Sequence, residues 1–465
     1  MTICELKQTI LSGGIDAVLT EALSVSPEAV SAQRTRYADA ADAFLAKYGD
    51  GDVSLYSVGG RSEISGNHTD HNHGRVIAAS VNLDILAVVK PTSDGTVRIQ
   101  SAGFPEDVVP PSAVEQPNPA DYGKSSAIIA GMEKAFLNAG YRIGGFDAYT
   151  TSNVLKGSGL SSSAAFEVMV GNILNHLYND GKVSNVEIAK MAQFSENVYF
   201  GKPCGLMDQT ACAVGGFITI DFADPKNPVI EKLGFDLTAA GYRLCVVDTG
   251  GNHADLTDDY ASVPAEMKSV ARELGVSVLR ETSREALDAL LEEKAADLRA
   301  KLGDRAILRA YHFFAENERV AAQVEALRAG DLEGFKAGVT ASGNSSFRFL
   351  QNVYTTKNVS EQGLSLALCL TEEFLRGTGG VCRVHGGGFA GTIQAFVPAE
   401  LTAAYEKKDE RGLRRRRVPH PQRPQGRGVE DPVRSAEENA VIPRTEAGGT
   451  RTGAESLIRP VRRIP

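Results

Sequence analysis

Residues 155–178 read LKGSGLSSSAAFEVMVGNILNHLY, a Gly/Ser-rich turn that runs without a break into a long apolar helix. No other stretch constrains the fold as tightly. Gly157, Ser158 and Gly159 let the main chain turn sharply, and Leu160, Ser161, Ser162 and Ser163 open a helix whose first backbone amides lack intrahelical partners. Such a helix start favours an anion. A triphosphate asks for this: converging N–H groups, close approach of the main chain, and a metal to offset charge. One of the three consecutive serine hydroxyls could hold Mg2+. A flexible linker or a simple helix cap competes with this reading. A linker, however, would be followed by more polar sequence, whereas an amphipathic helix follows here at once. No G-x-x-x-x-G-K-[ST] occurs, which argues against the P-loop class, and the catalytic-loop and D-F-G signatures of protein kinases are missing too.

Around that turn, strands and helices come in mixed order. Strand signals lie at 53–58, 75–90, 96–100, 146–151, 215–222 and 243–248, with a strand–loop–strand over 382–397 around HGGGFAG. Helical spacing marks 38–47, 122–139, 186–200, 265–274, 283–291, 305–328 and 363–377. This predicts an α+β fold rather than a regularly alternating parallel sheet, and no internal repeat is visible. A chain of 465 residues has room for two to three domains. The expected division is 1–230, 231–405 and a tail over 406–465.

Composition removes several classes. No run approaches the roughly 18 apolar residues of a membrane span, and the N-terminal MTICELKQTILSGG lacks a secretory pattern. Six scattered cysteines without C-x-x-C suit reduced thiols, so a cytoplasmic location is expected. A net charge of −9 gives no general reason for nucleic-acid binding, and a monomer is the default. The charge is uneven. Residues 406–465 carry 15 Lys/Arg and 9 Asp/Glu, a net of +6, which leaves −15 on residues 1–405. After Lys408 no Lys, Phe, Tyr, Met, Trp or Cys occurs, so this Arg- and Pro-rich stretch reads as disordered. Its abrupt change of composition looks like translation in a shifted frame; a basic tail contacting RNA or an acidic partner is the rival reading.

Two further segments carry chemistry. Residues 61–73, RSEISGNHTDHNH, gather donors and acceptors between two strands. They suit a polyhydroxylated substrate contacted by Asn67, His68 and Asp70. They also suit a metal site of His68, Asp70, His71 and His73, or a plain polar turn. Residues 201–216, GKPCGLMDQTACAVGG, place Asp208 among apolar and small residues, where a carboxylate is costly unless a partner or a task retains it. It could take a proton from a sugar hydroxyl or orient the attacking oxygen; a helix cap is the bland alternative. Glu196, twelve residues earlier, is a candidate Mg2+ ligand or a surface glutamate, and Cys204 reads as a packed thiol.

Taken in order, GGRSEISGNHTDHNHG, KGSGLSSSAAFEV, GKPCGLMDQ and VHGGGFAGTIQAF resemble the four motif segments of the GHMP kinases and, within them, the galactokinases, over about residues 50–400. The resemblance implies a two-lobed α+β fold with the active site in the inter-lobe cleft. It implies transfer of a phosphoryl group from ATP to the anomeric hydroxyl of galactose or a close relative. Asp208 would be the catalytic carboxylate, and Arg61 would hold it ionised and stabilise the transferring group. Asn67, His68, Thr69, Asp70 and Tyr260 would contact the sugar. Residues 157–163 would hold the ATP phosphates, with Ser163 and Glu196 on Mg2+ and Ser101 approaching the nucleotide.

Three departures matter. Asn67 stands where galactokinases usually carry Glu before His-Thr-Asp, which removes a negative charge and makes a galacturonate kinase a credible alternative. A catalytically silent ATP- and sugar-binding regulator is another. Ala390 replaces a glycine of the third glycine-rich motif, and the Arg-rich tail stands where the family chain finishes with a further strand.

Overall fold

The computed structural model describes residues 1–23, 27–154, 159–249, 256–412 and 463–464. The phosphate-loop residues Gly157 and Ser158 lie outside the described residues, as does most of the tail, 413–462.

Three N-terminal helices, α1 (Ile3–Leu11), α2 (Asp16–Leu23) and α3 (Pro27–Tyr48), precede a hairpin of β1 (Ser54–Ser65) and β2 (Arg75–Pro91). Next come β3 (Val97–Ser101), β4 (Asp107–Val109), α4 (Ser125–Asn138), β5 (Phe146–Ser152), α5 (Ser162–Tyr178) and α6 (Asn185–Phe194). Then follow α7 (Met207–Val214), β6 (Phe217–Asp221) and β7 (Val229–Lys232). β2 is long enough to take two partners on one edge: residues 75–79 pair with β6 and residues 85–91 with β5, both antiparallel. β3 runs parallel to β5, and a two-residue strand, β11 (Arg463–Ile464), pairs with β1 at Tyr56 and Leu55.

Side chains alternate across these strands, so one sheet feeds two cores. Tyr56, Val58, Val76, Ala78, Ile85 and Ala87 face α4, α5, α6 and α7. Leu55, Leu86 and Val88 face the N-terminal helices.

The second lobe holds an antiparallel sheet of β8 (Tyr242–Asp248), β9 (Val381–Val384) and β10 (Thr392–Pro398), with β10 central. Its helices are α8 (Thr257–Glu273), α9 (Arg284–Leu302), α10 (Asp304–Arg328), α11 (Leu332–Ser345), α12 (Gly363–Leu375) and α13 (Thr402–Gly412). A third core joins the lobes, with Ile64, Ile77, Ala79 and Phe217 packed on Val320, Val324, Phe335, Val339 and Phe396. Among the described residues no helix is long and apolar enough to cross a membrane.

Four expectations shift. The division expected at 230/231 falls inside β7, which runs to Lys232. The tail expected from 406 begins inside α13, which continues to Gly412. Residues 61–65 belong to β1 rather than to a loop, and only 66–74 form the connection. The helix expected over 186–200 changes to a π-helical turn at Ser195–Tyr199; such turns, rare elsewhere, are frequent at functional sites, and this one carries Glu196. Ala390 does not adopt a positive φ, so the methyl in place of a glycine hydrogen imposes no backbone strain.

Candidate active site

Arg61 enters from β1 between two irregularities in the β1–β2 ladder, one after Gly59 and one after Glu63. Bulges re-aim side chains, and here the guanidinium reaches across to α7. Its Nε donates to Oδ1 of Asp208 at 2.8 Å and Nη2 to Oδ2 at 2.6 Å. Its Nη1 donates to the Gly159 carbonyl, and the Arg61 amide donates to the Leu160 carbonyl at 3.1 Å. Ser161, in the left-handed region (φ 55°) at the start of α5, donates its hydroxyl to Oδ2 of Asp208. One arginine thereby ties the carboxylate to the described end of the phosphate loop.

Asp208 is the second residue of α7, where the helix dipole favours a negative charge. Burial would raise its pKa. The charge and hydrogen bonds of Arg61, with help from Ser161 and Lys202, outweigh burial and hold the carboxyl below its ordinary range. The group is therefore ionised at neutral pH, and its side chain remains 33% exposed.

Behind it lies a second carboxylate cluster. Glu196 is buried; Oε1 accepts from the Lys202 ammonium at 2.9 Å and Oε2 from Nε2 of Gln209 at 2.8 Å. Nε2 of Gln209 also donates to Oε2 of Glu167 at 3.1 Å. Oε1 of Glu167 is buried without a partner. Burial, then the charge of Glu196, pushes the Glu167 carboxyl well above the ordinary range.

The opposite wall is the 66–74 connection. Nδ2 of Asn67 donates to Oε1 of Glu63 at 3.0 Å and to the Gly386 carbonyl at 2.7 Å. Its Oδ1 accepts from Asn352 at 2.8 Å and Ser346 at 3.2 Å. Nε2 of His68 donates to the Gly387 carbonyl at 2.9 Å, and its ring centroid lies 5.1 Å from that of Tyr260. Burial, then the neighbouring His71, pushes His68 down to about 3, so the ring is neutral. The main-chain amides of Gly66 and Asn67 donate to Glu316 on α10. Two glycines let these walls close. A Cβ on Gly205 would lie 2.6 Å from Oδ2 of Asp70, and one on Gly387 would lie 1.7 Å from the Tyr260 ring. Asp70 thus sits against the segment that carries Asp208, and Tyr260 against the glycine turn.

Comparison with known proteins fits this geometry. The profile described as GHMP kinases N terminal domain matches residues 124–216, and the one described as galactokinase galactose-binding signature matches residues 42–91. The galactokinase of Streptomyces coelicolor is 33% identical over 372 residues, covering 79% of this chain and 90% of that protein. The chain belongs to the galactokinase family. The galactokinase of Clostridium tetani is 28% identical over 374 residues, covering 78% of this chain and 89% of the relative. The crystal structure of Lactococcus lactis galactokinase complexed with galactose superposes with a TM-score of 0.68 at 26% identity, covering 80% of this chain and 92% of that one. Mevalonate kinase of Methanococcus jannaschii shares the fold, with a TM-score of 0.55 at 15% identity.

Within this galactokinase-family fold, Arg61, Asp208, Gly159, Leu160 and Ser161 come together as the sequence suggested, while Ser162 and Ser163 form the first turn of α5 beside them. The side chains of Asn67 and Thr69 are spent on hydrogen bonds within the protein. Asn67 is fully buried with its amide spent as above, and the buried Thr69 hydroxyl turns back to the Gly66 and Arg75 carbonyls, closing the connection. Ser101 ends β3, where its hydroxyl accepts from Thr150 at 2.9 Å, and no hydrogen bond joins it to residues 159–163. The metal-site reading of His68, Asp70, His71 and His73 fails: among the described residues no group of three or more His, Cys, Asp or Glu is poised to hold an ion.

Sequence reasoning missed Glu63, Glu167, Gln209 and Asn352. A signal existed for Glu167, which lies inside a quoted motif as a charge between the apolar Phe166 and Val168. The Ser163–Glu196 region suits Mg2+ by its donor set. It offers hard oxygens, an orphaned buried oxygen on Glu167, and a Lys202 ammonium already resting on Glu196. Mg2+ commonly takes only one or two protein ligands and completes its shell with phosphate oxygens and water.

Proposed function

We propose that this cleft phosphorylates galactose with ATP at the anomeric hydroxyl, giving the sugar 1-phosphate and ADP, with Asp208 as the carboxylate facing that hydroxyl. ATP-dependent phosphorylation of galactose follows from the family; the residue roles are the proposal. One observation carries it: the two-pronged Arg61–Asp208 pair whose third donor is spent on Gly159. A bond forms between the sugar O1 and the γ-phosphorus as the bond to the ADP oxygen breaks, and the hydroxyl proton passes to Asp208. Such transfers need little beyond positioning and charge stabilisation. Arg61 supplies both, and residues 157–163 would hold the phosphates. Mg2+, when bound, would neutralise phosphate charge, with Ser163 and Glu196 as its protein ligands. Tyr260, His68 and Asp70 border the sugar. A monomer is the default, and six cysteines that form no disulfide suit the cytoplasm.

The test is galactose-dependent ADP release by the wild-type chain and by Asp208→Asn. Turnover in the wild type and its loss in the variant is expected. Undiminished D208N activity would remove the role of Asp208; no release by the wild type would remove the function.

A further inference from the structure

The amide of Asn67 leads to a different carboxylate. Glu63, four residues earlier on β1, accepts on Oε1 from Nδ2 of Asn67 and from Nη2 of Arg383, each at 3.0 Å. Among the described residues no hydrogen bond reaches its Oε2, yet unlike both oxygens of the buried Glu133 it is not sealed from solvent; 7% of the side chain stays exposed. The contacts around it lead to the cleft. Asn67 holds Gly386, and the Tyr260 ring lies on Gly387. The charge of Glu63 also acts on the Tyr260 hydroxyl alongside those of Asp70 and Asp208.

We propose that Glu63 is the specificity-determining residue of the sugar pocket: its Oε2 accepts a hydroxyl hydrogen of the substrate, while Asn67 and Arg383 hold the carboxylate in place. The assignment rests on the proposed function, that the cleft binds a hexose. It narrows the substrate to a neutral sugar. The carboxyl missing at position 67 is present at position 63, where burial raises its pKa and the charge of Arg383 opposes that rise, so a uronic acid meets a second carboxyl there rather than a cation. Arg383 cannot welcome the uronate, because it is fully buried behind Glu63 and its Nη1 is spent on the Ile64 carbonyl at 3.0 Å. Arg61 is committed to Asp208 and Gly159.

The experiment is steady-state kinetics on galactose, its 2-, 4- and 6-deoxy analogues and galacturonate, with wild type, Glu63→Gln and the swap Glu63→Asn/Asn67→Glu. A hydrogen bond to a charged group is worth about tenfold or more in binding, so E63Q should raise the galactose KM by at least ~10-fold while the ATP KM moves less than about twofold. One deoxy analogue should lose as much against wild type, and its loss should vanish against E63Q because both changes delete the same bond. The swap keeps an acid facing an amide and should recover part of the galactose KM. Galacturonate should be poorer than galactose. The inference falls if E63Q leaves the galactose KM unchanged, or if the wild type uses galacturonate as well as galactose. It also falls if no deoxy analogue loses against wild type, an arm that needs no variant to fold. A wild type that releases no ADP with any of these sugars overturns the proposed function itself.

Discussion

On the phosphate side of the cleft, Arg61, Gly159, Ser161 and Asp208 all belong to the first lobe and meet across 47 to 147 positions of sequence. On the sugar side, residues 66–74 are held by partners in the second lobe. Asn67 alone reaches His312, Ser346, Asn352 and Gly386, which lie 245 to 319 positions away. The phosphate side can therefore be assembled by one lobe folding on its own sheet. The sugar side exists only when the lobes are docked, because its main-chain and amide groups are satisfied from across the interface. Disturbing the docking should consequently appear in sugar affinity before it appears in ATP affinity.

The largest effect should come from the phosphate side. Asp208→Asn removes the proton acceptor and is expected to lower kcat by ~100- to 10,000-fold, measured by ADP release at saturating ATP and galactose. Arg61→Met should cost turnover too, and it carries a sharper signature in pH. Burial raises the Asp208 pKa and Arg61 lowers it, so without the guanidinium the carboxylate protonates at higher pH. The acidic limb of the kcat/KM profile should then move upward; an unmoved limb would show that Arg61 does not set the charge of Asp208.

The sugar side should respond differently. Asn352→Ala strips the donor to Asn67 and to the Gly387 carbonyl and should raise the galactose KM by about tenfold, the worth of one or two buried hydrogen bonds, with the ATP KM nearly constant. Equal changes in both constants would dissolve the contrast between the two walls. Glu196→Gln should do the reverse, raising the Mg2+ needed for half-maximal rate by about tenfold and leaving the galactose KM in place.

Glu133 on α4, outside the cleft, offers a test in stability rather than rate. Its two oxygens are buried without partners, and burial pushes its carboxyl up to about 8. A raised folded value makes its contribution to stability fully present below the unfolded pKa of about 4.5 and progressively lost as pH rises toward 8. At about 1.4 kcal/mol per pKa unit, Glu133→Gln should raise the melting temperature by several degrees at pH 8.5 and little at pH 4.5. A shift that is the same at both pH values would place the ionised group in a solvated pocket.

Much of the fold was legible because its signals are local. The β2 segment was expected at 75–90 and is found at Arg75–Pro91, a run of β-branched and apolar residues that needs no distant partner to declare itself. The helix α11 was missed because LEGFKAGVTASGNS is rich in Gly, Ser and Thr, weak helix formers that packing on α10 and β9 overrides. The eight-residue α7 was read only as a possible cap, its length being too short for a helical period to emerge.

By itself the sequence determined the order of the motifs, the Gly/Ser turn opening a helix, and Arg61 and Asp208 as charges with no apolar reason to be where they are. Tertiary structure alone decided which polar side chains remain available to a ligand. Spacing places Asn67 and Thr69 beside His68 and Asp70, but a buried amide or hydroxyl turns toward whichever carbonyl or carboxylate completes its hydrogen bonds. For Asn67 those partners come from Glu63 and from the second lobe, and for Glu63 the remainder is one oxygen that no hydrogen bond reaches among the described residues. Hydrogen-bond satisfaction is settled across hundreds of residues, so which group of the connection is spent and which is left for the sugar follows from the docked lobes.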